Sequence, residues 1–208
     1  MDGAEQVVVT PAWAVDAIID AGRRMDARGW VSATAGNISV RLDAERFAIT
    51  RSGNHKGYLT SEHVIQVDLD GRAMMPGRLS AETVLHAQLY RLLPAVGAVV
   101  HAHSVANTVL SLLSPGGMVF EGYEIVKAFP GFSSHEDIAE LPVFQNDQDI
   151  VRLADVLEPY IVGGLPLGYL IAGHGCHMWG PDMPTALARL EGLEFMLACE
   201  LETRKLLP

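Results

Sequence analysis

The sequence predicts one α/β domain, and three observations carry that prediction. Short apolar runs of strand length alternate along the chain with longer stretches whose leucines, isoleucines and valines recur at helical spacing. The 208 residues suffice for one sizeable core and do not require two, so a single domain is expected over 1–208. Hydrophobic residues at 49% and charged residues at 19% fit a packed globular chain and exclude a disordered one.

The elements follow in order. Thr10-Pro11 opens a helix, with Thr10 as its cap and Pro11 at its first position. Val15, Ile18, Ile19 and Met25 give it an apolar stripe, and Gly29 a stop. Gly36 to Val40 leads into a strand, with Arg46 to Thr50 as its hairpin partner. Thr50 to Gly57 then offers hydroxyls, glycines with free N–H groups and one lysine. That is the chemistry of an anion cradle, although an ordinary polar turn has the same composition. Asn37 and Ser39 would add donors if the two loops meet.

Val64 to Asp68 is a strand and Asp70-Gly71 a turn. Ser80 is expected to cap a helix with Leu85, Leu89 and Leu92 on its buried face. Glu82, in the first turn, either stabilises the helix end or stands at the mouth of a site.

The stretch V-G-A-V-V-H-A-H-S, Val96 to Ser104, carries the strongest chemical signal. A valine-rich run of this length is a buried strand. Side chains two apart share a face, so His101 and His103 project together at its end. Two converging imidazoles make half of a metal site. A helix from Ser104 to Leu113 and a turn over Ser114–Gly117 follow. Glu121 to Lys127 places Glu124 among apolar residues, as a surface charge or a functional carboxylate. Leu141 to Phe144 is a strand. Asn146 is expected to cap a helix whose first turn, Asp147-Gln148-Asp149, is acidic.

Leu167 to Ala172 is a second apolar strand, running into Gly173-His174-Gly175. A histidine between two glycines at a strand end is presented on open backbone, which makes His174 the third ligand. His177 and Cys176 compete from nearby. From Asp182 a long helix carries Leu187, Leu190, Leu193, Leu197 and Leu201 on one face. Glu191, Glu194, Glu200 and Glu202 fall on the other, expected to be a solvated or subunit-facing surface.

A formal charge of −10 argues against a general nucleic-acid binder, while leaving room for a local anion site. Two cysteines without a C-x-x-C suit a reducing cytoplasm. The acidic start M-D-G-A-E-Q has no leader pattern, and no stretch is of membrane-spanning length.

The motifs G-N-I-S, S-G-x-x-K-G-x-L-T, S-A-E-T-x-L-H, H-A-H-S and G-H-G-x-x-x-W-G occur in this order. Together they resemble the class II aldolase/adducin-head family, from Gly36 to the last helix. Pro142 to Ile150 and Glu121 to Lys127 are most similar to its bacterial methylthioribulose-1-phosphate dehydratase branch. The resemblance implies a three-layer α/β/α sandwich around a mixed, largely antiparallel sheet, and a homotetramer with sites between subunits. It implies one Zn²⁺ per subunit, held by His101, His103 and His174, and a phosphate loop at Ser52, Gly53 and Lys56 with Asn37 nearby. Glu82 matches the acid/base of the aldolases, and Glu124 that of the dehydratases. The implied reaction is dehydration of a 2-ketose 1-phosphate. An aldolase or 4-epimerase acting on another phosphorylated ketose, and a non-catalytic binding module like the adducin heads, are the alternatives. Three neutral imidazoles would leave the zinc its full charge for polarising a ketose carbonyl.

Overall fold

Eight strands form one sheet in the computed structural model, which describes residues 9–206. They are β1 (Asn37–Arg41), β2 (Arg46–Thr50), β3 (Val64–Asp68), β4 (Ala98–Ala102), β5 (Gly116–Phe120), β6 (Ala139–Phe144), β7 (Tyr169–Ile171) and β8 (Gly175–Gly180). Their order across the sheet is β3-β2-β1-β4-β8-β7-β6-β5. The β6–β7 ladder is parallel and the other six are antiparallel, as the expected mixed sheet requires.

Five helices cover the two faces: α1 (Ala12–Ala27), α2 (Thr83–Leu92), α3 (Val105–Leu113), α4 (Ile150–Gly163) and α5 (Met183–Leu206). Ile18, Leu110 and Leu190, from α1, α3 and α5, pack with Ile38, Val100 and Met178. Leu85 and Leu157, from α2 and α4, pack with Ile49, Val99 and Trp179 on the opposite face. Val99 and Val100 are neighbours in sequence yet belong to different cores, because successive side chains of a strand leave opposite faces. A sheet buried on both sides explains why β4 reads as a continuous apolar run rather than an alternating one.

Several local expectations are corrected. Pro11, not Thr10, holds the cap position of α1, and no side chain bonds the free N–H groups there. Glu82, not Ser80, precedes the first residue of α2. Ser80 Oγ instead accepts from Glu82 N at 3.4 Å in the turn ahead of it. The cap of α4 is Asp149, which accepts from Arg152 N at 3.1 Å, while Asp147 bonds Asp149 N and Arg152. The turn expected over Ser114–Gly117 is cut short because β5 begins at Gly116. Strand β8, Gly-Cys-His-Met-Trp-Gly, lacks a β-branched residue and was not anticipated from propensity. Glu194 is 4% exposed and faces the core, unlike Glu191, which pairs with Arg24 and Arg28. Its position, four after Leu190 and three before Leu197, lies in the buried stripe.

The acidic start, 1–6, on which the absence of a leader was read, lies outside the described residues. Among the described residues no helix is long and apolar enough to cross a membrane.

Candidate active site

The end of β4 lies at the centre of the sheet, between β1 and β8. His101 is the last but one residue of the strand, and His103 continues it, its N–H donating to Trp30 O at 2.7 Å. His174 occupies the turn between β7 and β8. Both of its glycines are required there. Gly173 has φ +64°, in the left-handed region, and its N–H donates to Ser111 Oγ at 3.0 Å. A Cβ on Gly175 would lie 2.2 Å from Ala102 O and 2.9 Å from His101 Cε1, so only glycine lets β8 approach β4 this closely. Glu82 reaches the same point from the start of α2.

One ligand atom from each of Glu82, His101, His103 and His174 lies within 4.8 Å of the others. His101 Nδ1 is 2.9 Å from Cys176 O. A carbonyl only accepts, so Nδ1 carries the proton and Nε2 presents a lone pair to the cluster. His103 Nε2 is 2.7 Å from that atom. Glu82 Oε2 stands 3.1 Å from His101 Nε2, and Oε1 stands 2.8 Å from His174 Nε2. Burial acts to raise the Glu82 carboxyl, but the imidazoles of His101 and His174 beside it outweigh that effect. The group is held well below the usual carboxylate range. Burial, with the neighbouring His101, pushes His103 down to about 3. A carboxylate and three imidazoles gathered at this spacing suit a divalent cation, by donor type and by the tautomer of His101.

A cavity of about 390 Å³ opens from the cluster. Glu82, His103 and His174 form one wall. Asn37, Ser52, Gly53 and Lys56 line the rest, together with Thr34, Arg51, Arg78 and Ser80. All four residues expected at the phosphate therefore face the same space as His103 and His174. Asn37 is buried between Glu82 and Ser80. The amide orientation that satisfies both donates to Glu82 Oε2 at 3.2 Å and accepts from Ser80 Oγ at 3.2 Å. Lys56 is 1% exposed, and its Nζ donates to Thr34 O at 2.9 Å and Asn54 O at 2.7 Å. It braces two loops as well as lining the cavity. Burial lowers its ammonium to about 8, against the pull of Glu82. Arg51 and Arg78 are the cations missed from sequence. Arg51 donates to Pro76 O at 2.9 Å, and Arg78, through its carbonyl, accepts from Ser52 N at 3.0 Å. The adjacency of Arg51 to Ser52 was the signal for one. Nothing local in the sequence marked the other.

The remaining candidates lie apart from the cluster. His177 is fully buried behind it, its ring stacked on His101 at 4.2 Å between centroids and 19° between planes. It therefore backs the His101 ring and does not face the cluster. The Cys176 thiol points to the opposite face, towards Asn107 and Glu194. Glu124 sits in a 3-10 turn, Glu124–Ala128, after the edge strand β5, four places across the sheet from β4. Its side chain is 69% exposed, paired with Lys127 and with His135 at 3.7 Å. The Lys127 hydrogen bond holds its carboxyl below the ordinary value. One chain alone does not bring Glu124 to the histidines.

The model of the family described as class II aldolase and adducin N-terminal domain matches residues 16–201. A methylthioribulose-1-phosphate dehydratase of Gluconacetobacter diazotrophicus is 58% identical over 203 residues, covering 96% of this chain and 98% of the relative. One of Granulibacter bethesdensis is 57% identical, covering 94% of each. Among solved structures, an L-fuculose-1-phosphate aldolase of Thermus thermophilus superposes with a TM-score of 0.76 at 27% identity, over 91% of this chain and 93% of the other.

Proposed function

The chain belongs to the class II aldolase and adducin N-terminal domain family, and on that premise we propose that it dehydrates 5-methylthioribulose 1-phosphate to the 2,3-diketo 5-methylthiopentyl 1-phosphate. This makes it a hydro-lyase of methionine salvage, acting as a single class II aldolase-like domain in the cytoplasm. The observation that carries the reading is the shared cavity: Glu82, His103 and His174 of the four-residue cluster on one wall, a cationic loop on the other.

His101, His103 and His174 would hold one zinc ion per subunit. Bound there, zinc supplies Lewis acidity that polarises the ketose carbonyl and acidifies the neighbouring carbon. The Gly53 N–H and the Ser52 hydroxyl would offer donors to the phosphate beside Asn37, and Lys56, Arg51 and Arg78 would balance its charge. A carboxylate removes the C3 proton. The C4 hydroxyl leaves with a proton as water, and the resulting enol becomes the diketone. Glu82, held ionised, can orient a substrate hydroxyl or assist departure of the C4 oxygen.

We assign C3 proton transfer to Glu124, serving the site of a neighbouring subunit in a homotetramer. Its exposure and its distance from the histidines of its own chain fit that arrangement. The alternative is an aldolase or 4-epimerase acting on another phosphorylated ketose. It gains support from Glu82, the glutamate of S-A-E-T, because among the described residues this carboxylate alone lies in the cluster of one chain. An adducin-like binding module is disfavoured by the assembled ligand set.

Incubation with methylthioribulose 1-phosphate, and separately with fuculose and ribulose phosphates, decides between these. Diketone from the first substrate alone is the expected result. Aldol cleavage or epimerisation of the others, with no diketone, would overturn the proposal.

A further inference from the structure

Three side chains of ordinarily charged type, Lys56, Glu82 and Glu194, are buried among the described residues. Lys56 and Glu82 line the cavity. Glu194 does not, and nothing in the proposed reaction uses it. It lies on α5, in a stripe of leucines, on the face of the sheet opposite His101.

Its partners lead back to the histidines. Asn107 Nδ2 donates to Glu194 Oε1 at 2.9 Å and lies 3.3 Å from the carbonyl of Ala102, the residue between His101 and His103. Ser104, which follows His103, hydrogen-bonds the carboxyl and also caps α3 by accepting from Asn107 N at 3.0 Å. The Cys176 thiol reaches Oε1 at 3.9 Å, and the carbonyl of the same residue fixes His101 Nδ1. Ser104 thus adjoins His103 in sequence, Asn107 holds the residue between the two histidines, and Cys176 holds the ring of His101.

We propose that Glu194 is a positioning residue of the metal centre, holding from behind the sheet the ends of β4 and β8 that present and orient His101 and His103. The inference rests on the reading of the three histidines as metal ligands. Fold stability alone would be served as well by an apolar residue at this stripe position, since a buried carboxyl must be desolvated. The ionised carboxylate accepts from all three donors. Its protonated form puts an O–H among groups that are themselves donors, and the Asn107 amide cannot reverse its role. The groups facing it are the Ser104 hydroxyl and Asn107 amide from α3 and the Cys176 thiol from β8. Its near neighbours on α5, Leu190, Leu193 and Leu197, are apolar. Burial places the Glu194 carboxyl at about 7, so this brace tightens as pH rises through neutrality.

The test compares wild type with Glu194→Gln and Glu194→Met, the latter suited to the leucine stripe. Zinc affinity is measured by chelator competition from pH 6 to 8.5, and the visible spectrum of the cobalt-substituted protein is recorded. The expected result is unchanged circular dichroism, a shifted cobalt spectrum and a loss of zinc affinity of roughly tenfold at pH 8. That loss should shrink towards pH 6, where the wild-type carboxyl is itself protonated. His103→Ala serves as the control for the centre. If it keeps full zinc affinity, the metal reading fails; if it loses zinc while both Glu194 variants match wild type in affinity and spectrum at every pH, the metal reading stands and the role of Glu194 is refuted. Should Glu194→Gln not fold, Glu194→Met with wild-type affinity and spectrum refutes it equally.

Discussion

Replacing Lys56 by Met separates bracing from binding, and the structure gives its size. The wild-type ammonium is fully buried, donates to two carbonyls and has its value lowered from 10.5 to about 8. Keeping it charged at pH 7 costs roughly 3 kcal/mol relative to the unfolded chain. The two bonds from a charged donor contribute roughly 1.5–3 kcal/mol each. At pH 7 the two effects nearly offset, and Lys56→Met should lose no more than about 3 kcal/mol. The pH dependence is more telling. Between 8 and 10.5 the folded protein binds fewer protons at this group than the unfolded chain does. Its contribution to stability therefore rises with pH through that window. By pH 9 about 1.4 kcal/mol should be recovered in wild type and none in the variant. A divalent cation bound nearby would deepen the lowering and not reverse it. Urea unfolding of both proteins at pH 7, 8 and 9, at one protein concentration, gives the difference with other titrations cancelled. A difference that stays flat from pH 7 to 9 would mean that the ammonium is solvated and that the two-loop brace does not exist.

Other outcomes follow from the same geometry. His174→Ala should release the metal and abolish turnover with the fold retained, and full metal stoichiometry in that variant would remove His174 from the ligand set. Arg78→Ala should raise KM roughly 10- to 100-fold with kcat nearly unchanged, since a charge-assisted bond to a remote phosphate is made equally in ground and transition states. An unchanged KM would exclude Arg78 from the anion site. Glu124→Gln should bind metal and substrate yet lose exchange of the C3 proton with deuterated solvent, whereas Glu82→Gln should keep part of it. The reverse pattern would transfer the base to Glu82.

The sequence by itself determined the elements other than β8, and much of the site, because the signals there are local. A valine run closing in H-A-H puts two imidazoles on one face of a strand end, whatever surrounds it. G-H-G presents a histidine on open backbone at a strand end, and the structure shows why glycine is needed at both positions. Leucines at helical spacing define α5. What the tertiary structure decided were the relations between distant segments. Spacing left Glu82 undecided between helix-end group and site carboxylate; packing of α2 against the sheet brought it within 3.1 Å of His101. His177 looked like a rival ligand two residues past Gly175, but antiparallel pairing of β8 with β4 turned it behind His101 as a stacked support. Lys56 looked like a free cation in a polar loop, and the approach of the Thr34 loop buried it. Glu194 looked solvated because glutamate usually is, until α3 and β8 closed over it with three donors. Short-range patterning fixes which atoms share a face, whereas burial, charge and pairing depend on chain segments tens of residues away that no local spacing encodes.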